Sequence, residues 1–316
     1  MRCSFRDAII QNGGALPENG CLRLYRNDRP ARCYHRRVII DFHTHIFPPD
    51  VRDKREEYAE RDPTFAEMYA DPNAKIATAE ELLASMDYAG VNVSVALGFA
   101  WREHELCVRH NDYILEAAAK SNGRIVGFCT VNLAADEAAG EIVRCASAGA
   151  KGVGELRPES QHWNVNGESG ARLAGLAREH GLLLLFHVTD VGGHEYAGKE
   201  GLQLGAFYRF AMEHTDIPIV GAHLAGGLPF AMPDVPQVSL TAIADTAARR
   251  FLYPESAYMD FIDRWGARRL LLGSDYPLVT QATQIEDVRT NLRRVAERDL
   301  VLGGNAARLL RLSKRA

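Results

Sequence analysis

From residue 38 onward, short runs of Val, Ile and Leu alternate about eight times with longer amphipathic stretches. This rhythm restricts the fold more than any other feature. A short apolar run without polar alternation suits a strand buried on both faces, and such strands are parallel and joined by crossover helices. The runs predict strands at Val38–Phe42, Val91–Leu97, Ile125–Val131, Lys151–Leu156, Leu182–His187, Ile217–Ala222, Leu240–Asp245 and Leu270–Ser274. The seventh, LTAIAD, is the weakest. Thr78-Ala79-Glu80-Glu81 reads as a capping box ahead of Leu82, Leu83 and Met86, with Gly90 as the stop. Further helices are predicted at Asn111–Lys120, Ala138–Ser147, Ala171–His180, Ala206–His214 and Glu255–Trp265, several of them closed by glycine. Strand and helix repeating in this way predict an α/β fold, a parallel (β/α)8 TIM barrel. An open doubly wound sheet is the rival, because counting strands does not prove closure.

Composition adds limits. Apolar residues at 47% supply a large core, and a formal net charge of -4 gives no reason to expect nucleic acid as a partner. Residues 1–37 differ from the rest: eight arginines stand against Asp7, Glu18 and Asp28, a net +5, with no lysine and no hydrophobic period. The segment lacks the apolar run of a secretory signal or a membrane anchor. It reads as a poorly ordered extension or a start assigned too far upstream, with 38–316 as a single barrel catalytic domain. Six cysteines show no CxxC pair and no framework spacing, which fits a reducing cytoplasm. A homodimer is the assembly expected of a soluble barrel.

The chemistry gathers at the strand ends. The first strand runs into Asp41-Phe42-His43-Thr44-His45. Side chains alternate along a strand, so His43 and His45 are expected on one face, with Phe42 and Thr44 on the other. Eleven histidines in this chain would supply about 0.4 such HxH pairs by chance, so the motif alone is weak. Position strengthens it: His187 closes LLLLFH, His223 closes IPIVGAH and Asp275 closes LLLGSD. In a parallel barrel these ends emerge on one rim, where such enzymes keep their active sites. Four imidazoles and a carboxylate form a mixed N/O set suited to zinc, manganese or iron. For each residue alone, a core histidine or a helix cap is the competing reading.

At this point the sequence resembles the amidohydrolase superfamily, in the branch that holds small-acid hydrolases and nonoxidative decarboxylases. DFHTHIFP at 41–48, FH at 186–187, GAHLAGGLPF at 221–230, LLLGSDYP at 270–277 and GNAARLL at 304–310 carry the likeness, which spans about 38–312. The resemblance implies a metallo-dependent hydrolase type of barrel with one or two divalent ions, zinc first, then manganese or iron. It implies that His43, His45 and Asp275 bind the first ion and that Asp275 takes a proton from the attacking water. His187 would be a further ligand, and His223 would either bind a second ion or orient water or substrate. Glu155, in GVGELR at the end of the fourth strand, matches the place of a bridging carboxylate in two-metal members, and decarboxylase-like members generally lack one. A glutamate salt-bridged to Arg157 is the plainer alternative. Glu155 tips the reading toward a hydrolase cleaving an amide, ester or lactone of a small, anionic substrate. The alternative is a metal-dependent nonoxidative decarboxylase of an aromatic or unsaturated acid.

Substrate contacts are expected from loops beyond the strand ends. Trp101 and Arg102 follow the second strand, and Arg157 follows the fourth. His194, Tyr196 and Lys199 lie in GGHEYAGKEG after His187. Arg102, Arg157 and Lys199 could pair with a carboxylate. Solvated surface charge and aromatic packing are the competing readings.

Overall fold

Eight parallel strands form one sheet in chain order, β1 (Ile40–His45), β2 (Val93–Leu97), β3 (Ile125–Cys129), β4 (Gly152–Leu156), β5 (Leu183–Phe186), β6 (Ile219–Gly221), β7 (Ile243–Asp245) and β8 (Leu270–Leu271). The computed structural model describes residues 38–190, 196–232 and 242–312. The Arg-rich segment 1–37, His194 and the start of the seventh predicted strand lie outside the described residues. Beyond β8 the chain bonds back to β1: Phe42 N donates to Leu272 O at 2.7 Å, Asp275 N to His43 O at 2.9 Å and His45 N to Tyr276 O at 2.7 Å. These bonds join the last strand to the first, and the open-sheet rival falls.

The core has two layers. Ile40, Phe42, Val95, Leu97, Phe128, Leu183, Leu185, Val220 and Leu271 pack with Ala306 and Leu310 from the last helix, Asn305–Leu309, and its end. The strand residues come from β1, β2, β3, β5, β6 and β8, and the cluster includes no residue of the long crossover helices, so they fill the barrel interior. A second, larger cluster joins the outer faces of the strands to the surrounding helices, including Leu82, Met86, Ile114, Ile142, Leu173, Phe207, Phe261 and Ile285. The capping box holds as read: Thr78 N donates to Glu81 Oε2 at 2.8 Å, and Gly90 ends the helix at φ 72°.

Strict alternation in β1 fails. Phe42 packs with Ile40 in the interior cluster, while the Asp41 carboxylate accepts from Ser274 Oγ at 2.6 Å and from Gln281 Nε2 at 2.8 Å. The β1–β2 register slips between Asp41 and Thr44. Past that slip, Thr44 turns its hydroxyl to Val95 O at 2.7 Å, and His43 and His45 lie together. The β4–β5 register slips between Val153 and Leu156, around Glu155. Such irregularities re-aim side chains and recur beside active sites. Gly154 is required here, since a Cβ would sit 2.8 Å from both Leu185 Cβ and Leu185 O.

Three short helices, Pro49–Asp53, Arg55–Arg61 and Pro63–Tyr69, follow β1 in a stretch without a predicted element. With the loop after β2 they build a third cluster around Phe47, Tyr58, Phe65, Tyr69, Phe99 and Trp101. The Phe65 and Trp101 rings stack at 5.1 Å. Among the described residues, no helix is long and apolar enough to cross a membrane.

Candidate metal centre at the barrel mouth

The strand ends bring all six residues singled out as metal ligands into one patch, buried except for the partly exposed Asp275. His43 Nε2 lies 3.1 Å from His45 Nε2, and each is 3.5 Å from Asp275 Oδ1. Opposite them, His187 Nδ1 lies 2.9 Å from Glu155 Oε1 and 3.1 Å from His223 Nε2. Two groups result, His43–His45–Asp275 and Glu155–His187–His223; in each, the candidate ligand atoms lie within 4.8 Å of one another. Each group offers nitrogen and carboxylate oxygen, a donor set that a divalent ion fits.

Glu155 spans the groups. Its Oε2 is 3.6 Å from His43 Nε2 and 3.5 Å from His45 Nε2, while Oε1 faces His187 and, at 3.6 Å, His223 Nε2. Burial alone would raise the Glu155 carboxyl, but His187 and His43 outweigh it and hold the group well below the ordinary carboxylate range. Asp275 behaves alike: burial raises it, and the His45 hydrogen bond with the His43 and His223 charges brings it down to about 2. Burial works against a charge on His43, yet the Asp245 and Glu155 carboxylates beside it lift its pKa well above normal. For His187, burial prevails and lowers it despite Glu155. Anionic carboxylates set among imidazoles are the charge pattern of a cation site.

The residues expected to touch substrate are placed differently. Trp101 is buried in the aromatic cluster, and its indole N–H donates to His110 Nδ1 at 3.0 Å. His110 Nε2 meets Ile46 O at 2.7 Å, so this histidine ties the loop after β1 to the loop after β2. Arg102 donates its backbone N–H to Asp62 Oδ2 at 2.8 Å. Arg157 does not pair with Glu155: its Nε donates to Glu200 O at 3.0 Å and its Nη2 to Gly198 O at 3.3 Å, with Glu67 at 3.7 Å. It thus pins the loop after β5, whose Gly198 N–H also donates to Glu67 Oε1 at 2.9 Å. Tyr196 OH donates to Asp190 Oδ2 at 2.9 Å, and burial, Asp190 and the nearby Asp275 all disfavour its phenolate.

Two residues enter that the sequence did not single out. Tyr69 ends the Pro63–Tyr69 helix, buried and close enough to Asp275 and Glu155 that, after burial itself, their charges push its phenol upward. Asp245 ends β7, with Oδ2 2.8 Å from His43 Nδ1 and Oδ1 accepting from His223 N at 3.0 Å. The strand-end rule that found His187, His223 and Asp275 would have found Asp245 too, had LTAIAD been a clearer strand.

The sequence profile of the Amidohydrolase family matches residues 40–312, and this chain belongs to that family. No curated protein matches it. Among solved structures it is similar to 5-carboxyvanillate decarboxylase from Sphingomonas paucimobilis, at 18% identity and TM-score 0.66, covering 87% of this chain and 99% of that one. A dihydroxybenzoic acid decarboxylase from Polaromonas, solved with manganese and the inhibitor 2-nitroresorcinol, gives 17%, TM-score 0.67, 87% and 97%. A probable 2-pyrone-4,6-dicarboxylic acid hydrolase from Acinetobacter baumannii gives 13%, TM-score 0.60, 86% and 99%. The amidohydrolase type of TIM barrel is therefore shared along nearly the whole length of each.

Proposed function

We propose that this chain is a metal-dependent nonoxidative decarboxylase of an aromatic or unsaturated carboxylic acid. The observation that carries the reading is the end-to-end likeness to the carboxyvanillate and dihydroxybenzoic acid decarboxylases. The largely buried six-residue patch and the aromatic cluster that reaches it through Tyr69 support the same reading. His43, His45 and Asp275 would hold one divalent ion, zinc or, as in the Polaromonas enzyme, manganese. A bound ion supplies positive charge that anchors an anionic substrate and draws electrons from the bond to be broken. The C–C bond to the carboxylate breaks, carbon dioxide leaves, and the carbon takes a solvent proton relayed by His223 or Asp275. His223 is held for this by its Nδ1, 3.1 Å from Ala247 O. Arg157 acts on the loop that carries Tyr196 and Lys199, not as a free clamp for the substrate.

Glu155 favours a second reading. A carboxylate facing both groups would help to hold two ions, which would activate water for hydrolysis of a small ester, amide or lactone. One experiment separates the two. Metal content per chain is measured on wild type and Glu155→Gln, and wild type is assayed for carbon dioxide release from hydroxylated benzoates and for hydrolysis of small lactones. Carbon dioxide release with deuterium from heavy water on the vacated carbon supports decarboxylation. Lactone opening without carbon dioxide, with two ions falling to one in Glu155→Gln, replaces it with hydrolysis.

A further inference from the structure

Asp245 is fully buried on a strand that contributes no member to either donor group, and it bonds to both. Its Oδ2 receives His43 Nδ1 at 2.8 Å, which leaves Nε2 as the nitrogen aimed at His45, Glu155 and Asp275. Its Oδ1 accepts from the backbone N–H of His223 and of Ala247, each at 3.0 Å. His223 needs that support: it sits at φ 59°, ψ 53°, followed by Leu224 and Ala225 at φ 55°, a left-handed run rare for residues with side chains. Ala247, held by the same oxygen, presents the carbonyl that meets His223 Nδ1 at 3.1 Å, which leaves Nε2 turned toward His187 and Glu155.

We infer that Asp245 is the positioning residue common to both groups, fixing the Nδ1–H tautomer of His43 through one oxygen and the backbone that aims His223 through the other. A carboxylate behind a ligating imidazole orients the ring and raises its basicity. Here a single carboxylate serves two rings that lie in different groups. Asparagine has the same shape but cannot do both jobs. With its oxygen toward the two backbone N–H groups, its NH2 faces His43 Nδ1 and favours the tautomer with hydrogen on Nε2. Reversed, its NH2 confronts the N–H groups of His223 and Ala247.

The inference rests on reading His43 as a metal ligand and is independent of which reaction the site performs. Zn2+ is the probe, because it is diamagnetic. Affinity is measured by competition with a chelating dye, and the histidine nitrogens of the Zn2+-loaded protein are read by 15N NMR, with His43 assigned from His43→Gln. The expected wild-type result is His43 bound through Nε2 with hydrogen on Nδ1. Asp245→Asn is expected to bind Zn2+ about 10- to 100-fold more weakly and to lose that signature. Asp245→Ala is expected to weaken binding at least as much. A wild-type His43 bound through Nδ1 overturns the inference without any variant having to fold. So does a folded Asp245→Asn that keeps wild-type affinity and the wild-type His43 signal. A wild type that binds no Zn2+ defeats the metal reading and this inference together, whereas failure of the decarboxylase assay alone leaves it standing.

Discussion

Two buried histidines 67 residues apart along the chain use their rings in opposite ways. His110 spends both nitrogens on structure: Nδ1 receives the Trp101 indole and the Phe99 N–H, and Nε2 meets Ile46 O. His43 spends only Nδ1, on Asp245, and turns Nε2 toward an imidazole and two carboxylates. The surroundings follow the same division. Around His110, aromatic rings pack until little polar surface remains. Around His43, six donor-bearing side chains converge where apolar packing would have been more stabilising. A buried polar group is inexpensive when each of its atoms is matched, and costly when it is kept unmatched for a ligand. That difference separates a histidine that holds loops together from one positioned for chemistry.

The contrast predicts how each region fails. Asp275→Asn should retain metal while turnover falls by about 10²- to 10⁴-fold, with little change in unfolding. The checks are metal analysis, carbon dioxide release and a thermal melt. A large loss of stability with activity intact would break the comparison, because the mouth would then be a structural core. Trp101→Ala should do the reverse, destabilising the chain by about 3–5 kcal/mol, as expected for a buried tryptophan, while the metal content of the folded fraction stays unchanged. Urea unfolding followed by elemental analysis tests this, and loss of metal would place the aromatic cluster in the site.

The smallest effect is a pH dependence. Burial lowers the His110 pKa from 6.5 to about 4, with His45 adding to the shift. Between those values the unfolded chain binds the proton and the folded chain does not. The contribution to stability is therefore complete above pH 6.5 and declines as the pH falls toward 4. The span corresponds to about 3 kcal/mol. Urea midpoints of wild type and His110→Asn across this window should converge in acid as the wild type loses that increment. Parallel curves would mean that the His110 ring is protonated in the fold, against the bonding seen at Nδ1.

Much of this molecule was legible in advance, and the parts that were not have specific causes. Short apolar runs marked all eight strands because burial on both faces leaves no room for polar alternation. His187, His223 and Asp275 could be grouped because every parallel strand delivers its last residue to the same rim. The three helices of residues 49–69 were not among the predicted elements, since helices this short are held by the aromatic contacts they make with the loop after β2. Trp101 could have been packing or a substrate wall, and its partners Phe65, Phe99 and His110 decide for packing. The expected alternation of Phe42 against His43 failed because a ladder slip, set by pairing with β2, cannot be seen in one strand.

By itself, then, the sequence determined the barrel, the family and the donors available at its mouth, since these follow from local period and from where each strand stops. Only the tertiary structure decided what each donor faces. The His43–Asp245 bond joins residues 202 positions apart, and Arg157 turns from Glu155 to loop carbonyls 41 and 43 residues away. Ring orientation and tautomer are fixed by such distant partners, and no neighbour in sequence carries that information.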